Sequence, residues 1–214
     1  MRFIVTCAAE GEWGDHLGVP KHLIPVEGER LLDRTVRLFS PYGEVIVTGP
    51  DDHRYRVPPS VLWFPPKNPA NHEADVFVGT RELWASDQRT VYLYGDCWFS
   101  DAAAHTIVTM VDDWQVYGRA GPSTTTGTPW GEQFAFGFDP EHHGLIAAAL
   151  GQIIGLRRDG VIHRNCGWEL YRSMTDIPLD RHELAGHFVE IDDFTDDFDY
   201  PVDYERWTAA RGRS

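Results

Sequence analysis

The stretch from Arg2 to Val26, RFIVTCAAEGEWGDHLGVPKHLIPV, decides the fold. Phe3, Ile4, Val5 and Thr6 form a short apolar, β-branched run, the pattern of a buried strand. Small residues follow at once: Cys7, Ala8, Ala9, Glu10 and Gly11, then Gly14 and Gly18. A strand that opens into a loop of small residues lets backbone N–H groups come close to an anion. Lys21, a little further on, can return to the same place and hold a triphosphate without a Walker motif. The same pattern also suits a plain surface connection, because small-residue loops after strands are common.

Outward from this stretch, strands and helices alternate. Leu31 to Ser40 has a helical period, Glu44 to Thr48 reads as a second strand and Val61 to Phe64 as a third. Asn71 is a candidate N-cap for a helix running to Ala85. Thr90 to Tyr94 (TVYLY) is the clearest strand and ends in Gly95-Asp96; Ser100 then caps a helix through Met110. This rhythm predicts βαβ units and a wound parallel sheet, in which ligands sit at the carboxyl ends of strands. The loop after Thr6 and the Gly95-Asp96 turn both lie at such ends. In the second half, Gln115 to Arg119, Gln133 to Phe138 and Phe188 to Ile191 read as strands, and Glu141 to Leu156 and Tyr200 to Ala210 as helices. Gly121 to Trp130 reads as a mobile loop. One domain over 1–214 is expected, with a nucleotide-binding half (1–112) and an acceptor half (113–214).

The 214 residues are 42 % hydrophobic, enough for a full core, and carry 33 acids against 19 bases, a net charge of −14. That balance argues against nucleic acid or an anionic membrane as partner, since phosphate backbones are held by Lys and Arg. It leaves room for a single nucleotide, which needs one local site. Cys7, Cys97 and Cys166 form no CxxC pair, so a reducing, cytoplasmic setting is expected rather than a disulfide scaffold. No signal-peptide pattern and no membrane-length apolar run is present, and the oligomeric state is not legible. His142-His143 reads as a solvated pair at a helix start.

Three places could carry chemistry. Asp96, at the carboxyl end of a buried strand, is placed to hold Mg²⁺ (or Mn²⁺) on a triphosphate, or else simply caps its turn. The acidic run from Asp192 to Asp203 is interleaved with Phe194, Phe198, Tyr200 and Tyr204, so part of it must pack, and packed carboxylates are paired or metal-bound. Within it Asp199, just before Tyr200-Pro201, is either an N-cap or a ligand. Glu132 beside Trp130-Gly131, and Trp168-Glu169 beside Gly167, combine an acid, a ring and a glycine, as a polyol site does; by pattern alone a core Trp with a surface Glu is the better reading.

With these residues in hand, the chain resembles the sugar-nucleotide pyrophosphorylase type of nucleotidyltransferase, whose superfamily includes the molybdenum-cofactor guanylyltransferases. Pro20, Lys21, Leu23, Pro25, Val26, Gly28, Leu31, Leu32, Arg34 and Thr35 match its N-terminal signature in order. Gly95-Asp96 matches its metal-binding Gly-Asp, and Asp199-Tyr200-Pro201-Val202-Asp203-Tyr204 resembles its DTPEDY segment. The resemblance implies a Rossmann-like, mostly parallel α/β sheet of glycosyltransferase-A type. It also implies transfer of a nucleoside monophosphate from an NTP to a sugar phosphate or similar small acceptor, with pyrophosphate leaving. Ala8, Ala9, Glu10, Gly11 and Gly14 would hold the nucleotide, Lys21 would neutralise phosphate charge, and Asp96 and Asp199 would hold Mg²⁺. Glu132, Trp168 and Glu169 would face the acceptor. The loop departs from the family in lacking its arginine: Glu12 stands near that place, where an acid repels a triphosphate. A glycosyltransferase using a nucleotide-sugar and a non-catalytic nucleotide-binding member are the alternatives.

Overall fold

The computed structural model describes residues 1–7, 13, 16–65, 73–164 and 166–213. Seven strands form its central sheet: β1 Arg2–Thr6, β2 Glu44–Thr48, β3 Leu62–Phe64, β4 Thr90–Tyr94, β5 Trp114–Arg119, β6 Glu132–Phe138 and β7 Phe188–Glu190. Their spatial order is β7-β5-β6-β4-β1-β2-β3. Every pairing is parallel except those of β6, which runs against both β4 and β5. The first-half strands are therefore one block and the second-half strands another, joined where β6 pairs with β4.

Among the described residues the α-helices are α1 Leu31–Phe39, α2 Glu73–Gly79, α3 Asp101–Thr109, α4 His143–Arg158, α5 Gly167–Met174 and α6 Pro201–Arg211. Phe3 and Ile4 sit beside Val91 and Tyr92 in register, and successive residues of a strand face opposite ways. Phe3 meets Phe39 of α1, while Tyr92 meets Phe77 of α2. Both faces are thus covered, which is why β4 is buried along its whole length and reads as a continuous apolar run. On the second face α2, α4 and α5 pack together, and α1 packs on α3.

A smaller apolar cluster brings the site together. Trp13, Ile24, Val26, Leu31, Trp98, Phe198 and Trp207 join the end of the first loop, the start of α1 and α6. Beside it, Cys97–Trp98 pairs antiparallel with Asp196–Asp197. Arg34, a residue of the N-terminal signature, is spent here: its guanidinium lies 4.3 Å from the centre of the Trp98 ring and its Nε donates to Phe99 O.

Some elements differ from expectation. The helix expected up to Ala85 is an α-helix only over Glu73–Gly79, followed by a 3₁₀ turn at Arg81–Leu83; its proposed cap, Asn71, lies outside the described residues. Thr80 ends it by turning its hydroxyl back to Val76 O and towards Tyr92 Oη. Helix α5 was not legible, because Cys166-Gly167-Trp168 carries no helical start signal. His143 is not solvated surface: its ring packs on Trp84 and Phe138, with centroids 5.1 and 5.6 Å away. The Gly121–Trp130 stretch is a loop, as expected, and three of its hydroxyls bind Asp196, as described below.

Candidate active site

The chain leaving β4 passes so close to β1 that only glycine fits. Gly95 N donates to Thr6 O at 2.9 Å, and a Cβ at Gly95 would run into Thr6 O and Cys7 Sγ. Asp96 is thereby set at the mouth of the loop that follows β1. Pro20 then leads into a tight 3₁₀ turn, Lys21–Leu23, which buries the Lys21 side chain. From the other end of the chain, the Asp196–Asp197 ladder and Phe198 N, which donates to Asp96 O, deliver Asp199 to the same spot.

The result is a three-membered cluster. Lys21 Nζ lies 2.6 Å from Asp96 Oδ2 and 3.0 Å from Asp199 Oδ1. Burial alone would make Lys21 easier to deprotonate, but Asp96 and Asp199 outweigh it and keep the ammonium charged well above the usual lysine range. Burial likewise pushes the Asp96 carboxyl up, and Lys21 and His22 more than offset it, holding Asp96 below its ordinary value. Asp199 does not cap α6. That role belongs to Asp203, whose Oδ2 accepts from Tyr200 N at 2.8 Å, leaving Asp199 for Lys21.

Glu132, at the start of β6, shares a cavity of about 150 Å³ with Asp197, Asp199 and Asp203. Trp130, Tyr200 and Arg206 complete much of its wall. Burial and the nearby Asp199 push Glu132 up to about 8, and burial with Glu132, Asp199 and Asp96 pushes Asp197 well above the usual carboxylate range. Glu132 and Asp197 therefore hold their protons more tightly than free carboxyls do, chiefly because they are buried.

Asp196 is the acid the sequence could not single out. Fully buried, it accepts from Arg119 Nη1 at 3.0 Å, from Ser123 Oγ and Thr125 Oγ1 at 2.5 Å each, and from Thr126 Oγ1 at 3.1 Å. It pins the loop that lines the cavity onto the segment that carries Asp197 and Asp199.

Ala8, Ala9, Glu10, Gly11, Glu12 and Gly14 lie outside the described residues. Trp13 is described, and it anchors the end of that loop by donating from Nε1 to Val19 O and His16 O. Trp168 and Glu169 lie in the first turn of α5. The Trp168 ring stacks on Phe188, and Glu169 caps α5 by accepting from Cys166 N and Sγ. What α5 does bring to the site is the N–H of Gly167, bound by Glu73, a residue with no sequence signal beyond its place at a helix start.

No family model matches the chain, and no curated protein is similar to it in sequence. Solved structures are similar in fold. The CTP:phosphocholine cytidylyltransferase of Streptococcus pneumoniae superposes with a TM-score of 0.61 at 10 % identity, over 98 % of this chain and 98 % of that one. The inositol-1-phosphate CTP transferase of T. maritima gives 0.58 at 12 % identity, over 97 % and 94 %. The 4-diphosphocytidyl-2C-methyl-D-erythritol synthase of Anaerococcus prevotii gives 0.58 at 13 %, over 98 % and 97 %. At these identities the likeness is one of architecture: a seven-stranded, mostly parallel sheet with helices, the fold of nucleotide-diphospho-sugar-transferase-like nucleotidyltransferases.

Proposed function

We propose that the chain is a metal-dependent nucleotidyltransferase that moves a nucleoside monophosphate from an NTP to a sugar phosphate or similar small acceptor, releasing pyrophosphate. The observation that carries this reading is the Asp96–Lys21–Asp199 cluster: one buried ammonium between two carboxylates, at the carboxyl ends of β1 and β4. Nucleotidyl transfer asks mainly for positioning and for neutralisation of phosphate charge. Lys21 supplies a fixed positive charge that stays protonated throughout the neutral range.

A divalent cation suits the donor set. Asp96 and Asp199 offer hard carboxylate oxygens, and two carboxylates with one ammonium leave a net negative charge. Among the described residues no three His, Cys, Asp or Glu converge as a ready ligand cage. That suits Mg²⁺ (or Mn²⁺), which usually takes one or two carboxylates and completes its shell with phosphates and water. When bound, the ion would offset charge on the triphosphate and the departing pyrophosphate. Asp96 and Asp199 would hold it, and Lys21 would hold the two carboxylates in place.

Pyrophosphate release tests the reading. Each of the NTPs with Mg²⁺ is offered glucose 1-phosphate, inositol 1-phosphate or phosphocholine. One NTP–acceptor pair is expected to release pyrophosphate, with a loss of about 10²-fold or more in Asp96→Asn and Lys21→Met. Turnover of a nucleotide-sugar in place of any NTP would make the chain a glycosyltransferase instead. The absence of any nucleotide binding would leave the fold without the activity.

A further inference from the structure

Four elements converge on the first residue of α5. Gly167 N donates to Oε2 of Glu73, the first residue of α2. The space that a Cβ on Gly167 would need is filled by Oε1 of Gln133 from β6 and by Oη of Tyr94, the last residue of β4. Tyr94 is 7 % exposed and Gln133 9 %. Among the described residues neither Tyr94 Oη nor Gln133 Nε2 has a hydrogen-bond partner. Asp96 follows Tyr94 by two residues, and Lys21, Asp96 and Asp199 all act electrostatically on Glu73, so this cluster adjoins the site already described.

Buried polar groups without partners weaken a fold and call for an explanation. Here the unmet capacity is of a definite kind. Gln133 Nε2 donates and Tyr94 Oη does either, beside the Glu73 carboxylate that already accepts from Gly167 N. A hydroxyl group both donates and accepts, so it satisfies this set. A quaternary ammonium neither donates nor accepts a hydrogen bond and leaves Gln133 Nε2 and Tyr94 Oη both unmet. A second anion would face Glu73 and Asp96. We infer that Tyr94, Gln133 and Glu73 read a hydroxyl of the acceptor and so set the specificity of the transfer for hydroxyl-bearing phosphates. The inference rests on the nucleotidyltransferase reading above and adds the residues that choose among its acceptors.

The test is steady-state kinetics of the intact chain and of Tyr94→Phe, with glucose 1-phosphate, inositol 1-phosphate and phosphocholine as acceptors. Thermal stability of both proteins is measured alongside. The wild type is expected to use a hydroxyl-bearing acceptor in preference to phosphocholine. In Tyr94→Phe, KM for that acceptor should rise about 10-fold or more with little change in kcat, because a site built to bond a hydroxyl discriminates through it. Tm should stay level or rise, since the variant removes a buried hydroxyl that has no partner among the described residues; a merely structural Tyr94 would leave KM unmoved. Pyrophosphate release with unchanged KM in Tyr94→Phe, or with phosphocholine as the preferred acceptor, overturns the subsite and leaves the nucleotidyltransferase reading standing. No pyrophosphate with any acceptor and no stabilisation by any NTP overturns both.

Discussion

The ammonium of Lys21 meets the carboxylate of Asp199 at 3.0 Å across 178 residues of sequence. The same ammonium is 2.6 Å from Asp96, so one buried lysine ties the first loop, the central strand and the last helix into one electrostatic unit. Removing it leaves Asp96 buried beside other acids. Lys21→Met should therefore lose about 3 kcal/mol of stability, the low end for a broken buried pair because Asp199 is half exposed. The double variant Lys21→Met/Asp96→Asn should recover part of that loss, with a coupling energy of about 1–3 kcal/mol. Urea unfolding of the single and double variants measures it. Strict additivity would mean that the pair is not an energetic unit.

Glu73 sets a pH dependence. Burial pushes its carboxyl from 4.5 up to about 7, only partly relieved by the Gly167 N–H. The folded state holds this proton more tightly than the unfolded chain, so Glu73 favours folding most below pH 4.5. That contribution is lost as the pH rises through about 7. Glu73→Gln keeps an acceptor for Gly167 N and abolishes the titration. Tm plotted from pH 5 to 8 should fall less steeply in the variant than in the wild type; parallel curves would contradict the assignment.

Asp196 clasps the cavity loop. Asp196→Ala strands the Arg119 guanidinium in the interior and frees three hydroxyls at once. A cost of about 3–5 kcal/mol is expected from the unpaired buried charge. Limited proteolysis should then open a new cut within Gly121 to Trp130. Wild-type stability with no new cut would show that the clasp is dispensable.

Gly95 fixes the position of Asp96 beside the end of β1. A Cβ there would stand 2.6 Å from Thr6 O and 2.9 Å from Cys7 Sγ, so the backbone must shift. Gly95→Ala should cost about 1–3 kcal/mol, as overpacking does. It should also reduce pyrophosphate release more than Gly144→Ala, where nothing stands within 4 Å of the added atom. Equal effects of the two would separate the close approach from the chemistry.

Much of the sheet could be read from the residues because its strands are buried on both faces. TVYLY, EVIVT and RFIVT are apolar runs that need no partner to be recognised. The site was legible where spacing was distinctive: Pro20-Lys21, Gly95-Asp96 and Asp199-Tyr200-Pro201. It was illegible where many like residues compete. Asp192 to Asp203 holds several acids of identical chemistry, and only the fold sorts them into a clasp (Asp196), a helix cap (Asp203) and a partner of Lys21 (Asp199). Glu73 and Gln133 carry no local pattern at all; they matter through contacts made across β4, β6 and α5.

The most direct test of the central claim is thermal unfolding of the wild type and of Asp96→Ala, each with the NTPs in turn, with and without Mg²⁺. A ligand that binds only the folded chain stabilises it by about 2.7 kcal/mol at a hundred times its Kd. The account predicts that one NTP raises Tm only when Mg²⁺ is present, and that Asp96→Ala loses the shift while remaining folded. An equal shift in both proteins, or none with any NTP at millimolar concentration, would contradict it.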